Sequence, residues 1–191
     1  MEDLDINVCS NENLNIDSVL GLKRASLKNL QITADLLKLL SQPGDKSKLE
    51  SLILQSPLNI SPVSVQDIIS LLKKVKLFSM KCYGFQEFKR FFALNKTMKI
   101  KEKLFNLREV LFENVDLSKF PLGIFEIAGL KKLGLRHTNL TNQQVNWIFK
   151  EVTKMEETEK CLQYLDLSGN KLNKVSPISI TSMNRIETVI L

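Results

Sequence analysis

One spacing constrains this chain more than its composition does. Residues 161–172 read CLQYLDLSGNKL, with leucines at 162, 165, 167 and 172 and Asn170 between the last two. Neither a 3.6-residue helical period nor a plain strand alternation produces that spacing. Residues two apart on a strand point to one face, so Leu165 and Leu167 would share a buried side. The same frame lies on LKKLGLRHTNL (130–140), LREVLFENVDL (107–117), LKKVKLFSMKC (72–82) and LKNLQITADLL (27–37). It covers the first half of LESLILQSPLN (49–59), and it opens and closes the chain in MEDLDINVC and IETVIL.

Units therefore start near 1, 27, 49, 72, 107, 130, 162 and 186. Self-similarity at such intervals marks a solenoid, because one unit cannot bury its leucines alone and stacked neighbours bury them jointly. The pattern resembles the leucine-rich repeat family over nearly the whole chain, with divergent repeats of mixed length. The resemblance implies an α/β horseshoe formed by one domain, 1–191, of about seven repeats and a partial eighth. Its concave side would be a parallel sheet, and its convex side a mixture of helices and irregular segments. The family's preferred asparagine at position 9 of the unit stands only at Asn170. Cys9, Asp35 and Thr138 stand there as substitutes in other units, whereas Pro57, Met80 and Val115 suit the position poorly.

The intervals say how the chain returns between strands. TNQQVNWIFKEVTKM carries Val145, Ile148, Phe149, Val152 and Met155, a helical apolar stripe, and Thr141 followed by Gln144 reads as a capping box. GFQEFKRFFALNK, with Phe85, Phe88, Phe91 and Phe92, predicts another helix. SVQDIISLL (64–72) and DSVLGL (17–22) predict shorter ones. LSKFPLGIF (117–125) predicts a proline-containing turn.

Little in the chain points to catalysis. The single histidine, His137, falls at position 8 of its unit and reads as a surface residue. GLKKLG (129–134) has two glycines at phosphate-loop spacing, but Leu135 and Arg136 follow where lysine and a hydroxyl residue belong. Cys9, Cys82 and Cys161 are far apart with no CxxC pair, so neither a disulfide framework nor a zinc site is expected. The expectation is a protein that is no enzyme and uses no metal or cofactor.

No apolar run approaches the roughly 18–20 residues of a membrane span. With Met1 as the start, the acidic MEDLDINVCSNENLNI lacks a signal peptide's basic and apolar regions, so a cytoplasmic or nuclear location is expected. IETVIL stops half-way through a unit, which raises the expectation of a fragment, a covered end, or self-association through the last strand.

Function is then expected on the residues the repeat leaves free. In this frame the concave face carries Lys73, Lys74, Lys76, Phe78, Leu111, Glu113, Lys132, Arg136, His137, Tyr164 and Asp166. Leu111 and Ile53 put apolar groups at the centre of strands, as protein interfaces do. The net charge of +6 and the clustered lysines predict a partner with an acidic surface. Nucleic acid is the rival, although Glu109 and Glu113 interrupt the basic stripe. The family resemblance also admits a GTPase regulator or a substrate receptor of a ubiquitin ligase.

Overall fold

The phased apolar pairs fold as short strands that hydrogen-bond side by side in the order the chain makes them. A computed structural model describes residues 3–7, 19, 21–22, 24–28, 34–41, 49–57, 63–83, 92–93, 104, 106–125, 129–155, 162–172 and 186–191. Eight strands form one sheet: β1 (Asp3–Asn7), β2 (Arg24–Lys28), β3 (Ser51–Pro57), β5 (Leu77–Tyr83), β7 (Glu109–Glu113), β8 (Lys132–Arg136), β9 (Tyr164–Asp166) and β10 (Thr188–Ile190). Every neighbouring pair in it is parallel, and the strand order follows the sequence without reversal. Strands β4 (Val63–Ser64) and β6 (Phe92–Ala93) form a separate short parallel pair. The described chain is thus α/β, with one main parallel sheet that grows at one edge.

The register repeats as regularly as the sequence. Asp3, Arg24, Ser51, Leu77, Glu109, Lys132, Tyr164 and Thr188 stand level across the eight strands. The strand entries repeat one hydrogen-bond pattern. The Glu50 carbonyl accepts from the Lys76 and Leu77 amides, that of Lys76 from Arg108 and Glu109, that of Arg108 from Lys131 and Lys132, and that of Lys131 from Gln163 and Tyr164.

Two units start elsewhere than the sequence frame places them. In the second, Ala25 and Leu27 take the buried strand positions, so the unit begins at Leu22 rather than at 27. In the fourth, Phe78 and Met80 take them, and the unit begins at Val75 rather than at 72. The physical reason is local competition for the same apolar residues. Leu72 closes the helical stripe Ile68, Ile69, Leu71 and Leu72, and the shifted strand buries Phe78 and Met80, each worth about 1.5–3 kcal/mol.

Among the described residues, three helices connect the strands: α1 (Ala34–Ser41), α2 (Val65–Leu72) and α3 (Asn142–Met155). Helix α1 lies where the sequence frame ran on through a repeat unit, and its Leu36, Leu37 and Leu40 are buried with α2. Helix α3 buries Val145, Ile148, Phe149 and Val152, as its stripe requires. Its capping box is formed. The Gln144 amide donates to Thr141 Oγ1 at 3.3 Å, and the Thr141 amide donates to Gln144 Oε1 at 3.0 Å. Gln144 Nε2 also donates to the carbonyls of Leu117 and Phe120, tying the helix start to the preceding irregular segment. In that segment a 3-10 turn, Leu122–Ile124, follows Pro121. Of the expected phenylalanine-rich helix, Phe92 is in strand β6, and Phe85, Phe88 and Phe91 lie outside the described residues.

All three helices contribute to one apolar core against the buried strand faces, which include Leu52, Leu54, Val110, Phe112, Leu133, Leu135, Leu165 and Leu167. Aromatic rings thread its middle: Phe78 and Phe112 at 5.6 Å between centroids, Phe112 and Phe120 at 6.0 Å, Phe120 and Phe125 at 5.8 Å. The alternate strand positions point the other way and make the sheet's second face. No described helix is long and apolar enough to cross a membrane.

Candidate functional site

The sheet face opposite the helices is built from the third, fifth and seventh positions of each unit. On β7 these are Glu109, Leu111 and Glu113, half-buried between the fully buried Val110 and Phe112. On β8 they are Lys132, Gly134 and Arg136. The corrected frame of the fourth unit puts Leu77, Ser79 and Lys81 there.

That correction redraws the expected site. Phe78 is fully buried against Phe112 and is a core residue. Lys73 and Lys74 occupy the turn after α2, off the strands. Lys74 Nζ reaches the Leu40 carbonyl of α1 at 3.5 Å, and burial pulls its pKa below the usual lysine value. Lys76 is exposed on the approach to β5 and pairs with Glu50 at 3.2 Å. Leu111, Glu113, Lys132, Arg136, Tyr164 and Asp166 do lie on the face. His137 sits just past β8 in the left-handed region (φ 48°), its amide donating to the Ser168 carbonyl at 2.8 Å. Its ring packs on Gly169, where a Cβ would collide with it.

Register decides which charges meet. Lys81 pairs with Glu113 at 2.8 Å, and the other Glu113 oxygen lies 4.0 Å from Arg136. Arg136 Nε reaches Asp166 Oδ2 at 3.1 Å. Two rows back toward the strand starts, Lys132 pairs with Glu109 at 3.4 Å. Sequence alone missed Lys81, because the frame that exposed Phe78 hid it. The only sequence signal for these pairs is alternating charge sign at equivalent unit positions, which becomes readable once the register is known.

Among the described residues, Asp166 is the one charged group of this face with no exposure. Tyr164 donates its hydroxyl to Oδ2 at 2.9 Å, and the Ser168 amide donates to Oδ1 at 3.0 Å. Burial pushes the Asp166 carboxyl upward, but the bonds from Ser168 and Tyr164 and the charge of Arg136 outweigh it and hold the group below its ordinary value. Tyr164 is shifted up by burial, by its bond to Asp166 and by that residue's charge, against the pull of Arg136.

A pH dependence follows. With its folded value depressed, Asp166 contributes stability that is complete above about pH 4 and lost as pH falls through the folded value. Urea midpoints measured from pH 7 down to pH 2 should show wild type well above Asp166→Asn near neutrality. The gap should narrow below about pH 4. A constant gap would show that the carboxylate is not the stabilising form.

Other chemistry finds little support among the described residues. Cys82 is buried, and burial pushes its thiol up to about 12, away from thiolate reactivity. No group of three His, Cys, Asp or Glu side chains that could hold a metal ion occurs among them. Cys9 and Cys161 lie outside the described residues.

No family model, curated protein or solved structure matches this chain.

Proposed function

We propose that this chain is a leucine-rich repeat solenoid whose open sheet face binds another protein. The repeat reading is supported by the sequential parallel order, the recurring entry hydrogen bonds and the reach of Asn170 into the preceding unit. The observation that carries the binding reading is Leu111. It is a half-buried apolar side chain at the centre of the sheet face, with Leu77 and Ile53 half-buried on nearby strands and ion pairs on either side. Apolar anchors inside a polar rim are what protein interfaces use, and the open face of a solenoid is its extended binding surface.

The rival nucleic-acid reading has weaker support. Lys81, Lys132 and Arg136 each have an acid within 4.0 Å, so a phosphate backbone would meet a carboxylate beside each of these cations.

The test is site-directed photocrosslinking in cells. A photoreactive amino acid at Ser79 or Leu111 should yield discrete protein adducts, and one at the exposed Lys150 of α3 should not. Adducts from Lys150 alone would move the interaction to the helical side. Adducts to nucleic acid at Leu111 would reverse the choice of partner class.

A further inference from the structure

The dimensions of the face narrow the partner further, given the protein-binding reading above. The fifth unit position forms a row across the strands: Ile53 on β3, Ser79 on β5, Leu111 on β7 and Gly134 on β8, directly paired in register. That stretch of the row carries no charge. The third and seventh positions flank it with Glu109–Lys132 on one side and Lys81–Glu113–Arg136 on the other. Gly134 matters to its shape. A Cβ there would lie 2.5 Å from Leu111 Cδ2, so glycine lets the Leu111 side chain lie across β8. The result is a low uncharged strip with apolar Ile53 and Leu111, rimmed by mixed charge along β7 and β8 and by Lys81 on β5, while Ser51, Leu77 and Gln55 flank its other end.

We infer that the strip receives an amphipathic α-helix of the partner, laid across the strands, with apolar residues at i, i+3 or i+4, and i+7 and flanks of mixed sign and no net charge. Ile53 and Leu111 are two strand spacings apart, about 9.6 Å. Seven helical residues rise about 10.5 Å, which matches. Same-side residues of an extended segment recur at about 6.7 and 13 Å, which does not match. The rims stand four residues apart along a strand, about 13 Å between Cα atoms, so a helix would rest on the strip with only its apolar edge between them. Charge points the same way. A strongly acidic segment would gain Lys81, Lys132 and Arg136 only by competing with Glu113, Glu109 and Asp166. A segment of mixed sign would leave these pairs intact and shield them from water as a rim. The proposed occupant thus differs from the acidic partner expected from net charge.

The experiment uses a displayed library of random 18-residue peptides, selected on the full chain and screened against Leu111→Asp. Ser79→Arg serves as a second blocking variant, and circular dichroism checks that both fold. Enriched peptides should share the i, i+3/i+4, i+7 apolar spacing with net charge near zero. They should become helical on binding and lose at least tenfold in affinity for either variant. Gly134→Ala, which raises Leu111 without changing charge, should cost them about threefold or more. Peptides that need Leu111 but alternate apolar residues, or that are strongly acidic, would overturn the helix proposal and leave the protein-binding reading standing. Failure to enrich any peptide that distinguishes wild type from both blocking variants would overturn both.

Discussion

Phe112→Ala is expected to destabilise the fold by about 4 kcal/mol, the cost of deleting a fully buried aromatic side chain. Phe112 is 1% exposed on β7 and holds the middle of the aromatic run. Its ring lies 5.6 Å from Phe78 on the preceding strand of the sheet and 6.0 Å from Phe120 in the irregular return. Phe120 in turn stacks on Phe125 at 5.8 Å. Truncation removes contacts to two units at once and leaves a cavity that rigid strands cannot collapse. Against a typical domain stability of about 5–15 kcal/mol, such a loss leaves little margin. The midpoint of urea unfolding should fall steeply, while Phe112→Leu, which keeps much of the volume, should fall less. A cost below about 1 kcal/mol would mean that the ring does not bridge these units.

The same ring shows what the sequence could and could not reveal. In the units at 107, 130, 162 and 186, the apolar pairs read from the pattern are the residues that align across the sheet, from Val110 through Leu133 and Leu165 to Val189. Around residues 72–82 two frames fit, since LKKVKL and VKLFSM both place apolar residues at the first, fourth and sixth positions. The choice depended on α2 claiming Leu72 for its own buried stripe, a tertiary fact. The second unit failed in the same way, with α1 taking Leu36, Leu37 and Leu40.

Errors of frame became errors of site. Lys73, Lys74 and Phe78 fell out of the face, and Leu77 and Lys81 came in. Leu111, Glu113 and Arg136 were legible because their units were in phase. Their pairing was not, because Lys81–Glu113 and Arg136–Asp166 join residues 32 and 30 apart in sequence, brought together by register alone. The total of +6 describes the whole chain, whereas the central strands of the face alternate acids and bases.

Asn170→Ala is the second large effect, and it tests how successive units are fastened together. The side-chain oxygen of Asn170 accepts from the Thr138 and Leu140 amides, both at 3.1 Å, one unit back. Its nitrogen donates to the carbonyl of Leu135 in that unit at 2.6 Å, and to that of Leu167 in its own at 2.7 Å. Four main-chain groups at strand exits thus depend on one amide, and the buried Thr138 hydroxyl lies 3.3 Å from its oxygen. Removing the amide leaves several of these groups short of a partner, at about 1–3 kcal/mol for each one that water cannot reach. We expect a total loss of roughly 3 kcal/mol, because partial solvent access should rescue some of them. The fifth unit shows the same need met differently. Val115 stands at the equivalent position, and Asn114, one residue earlier and left-handed at φ 56°, donates to the Cys82 carbonyl at 2.9 Å. Asn170→Asp separates the two halves of the role. Aspartate keeps an acceptor for Thr138 and Leu140, but when ionised it sets a charge against the Leu135 and Leu167 carbonyls. It should therefore be destabilised near neutrality and recover in part as acid protonates it. Equal stability of the aspartate and asparagine forms at pH 7 would show that the two donated bonds contribute little. Loss of hydrogen-exchange protection in the alanine variant should centre on the Thr138 and Leu140 amides, because Asn170 supplies their acceptor.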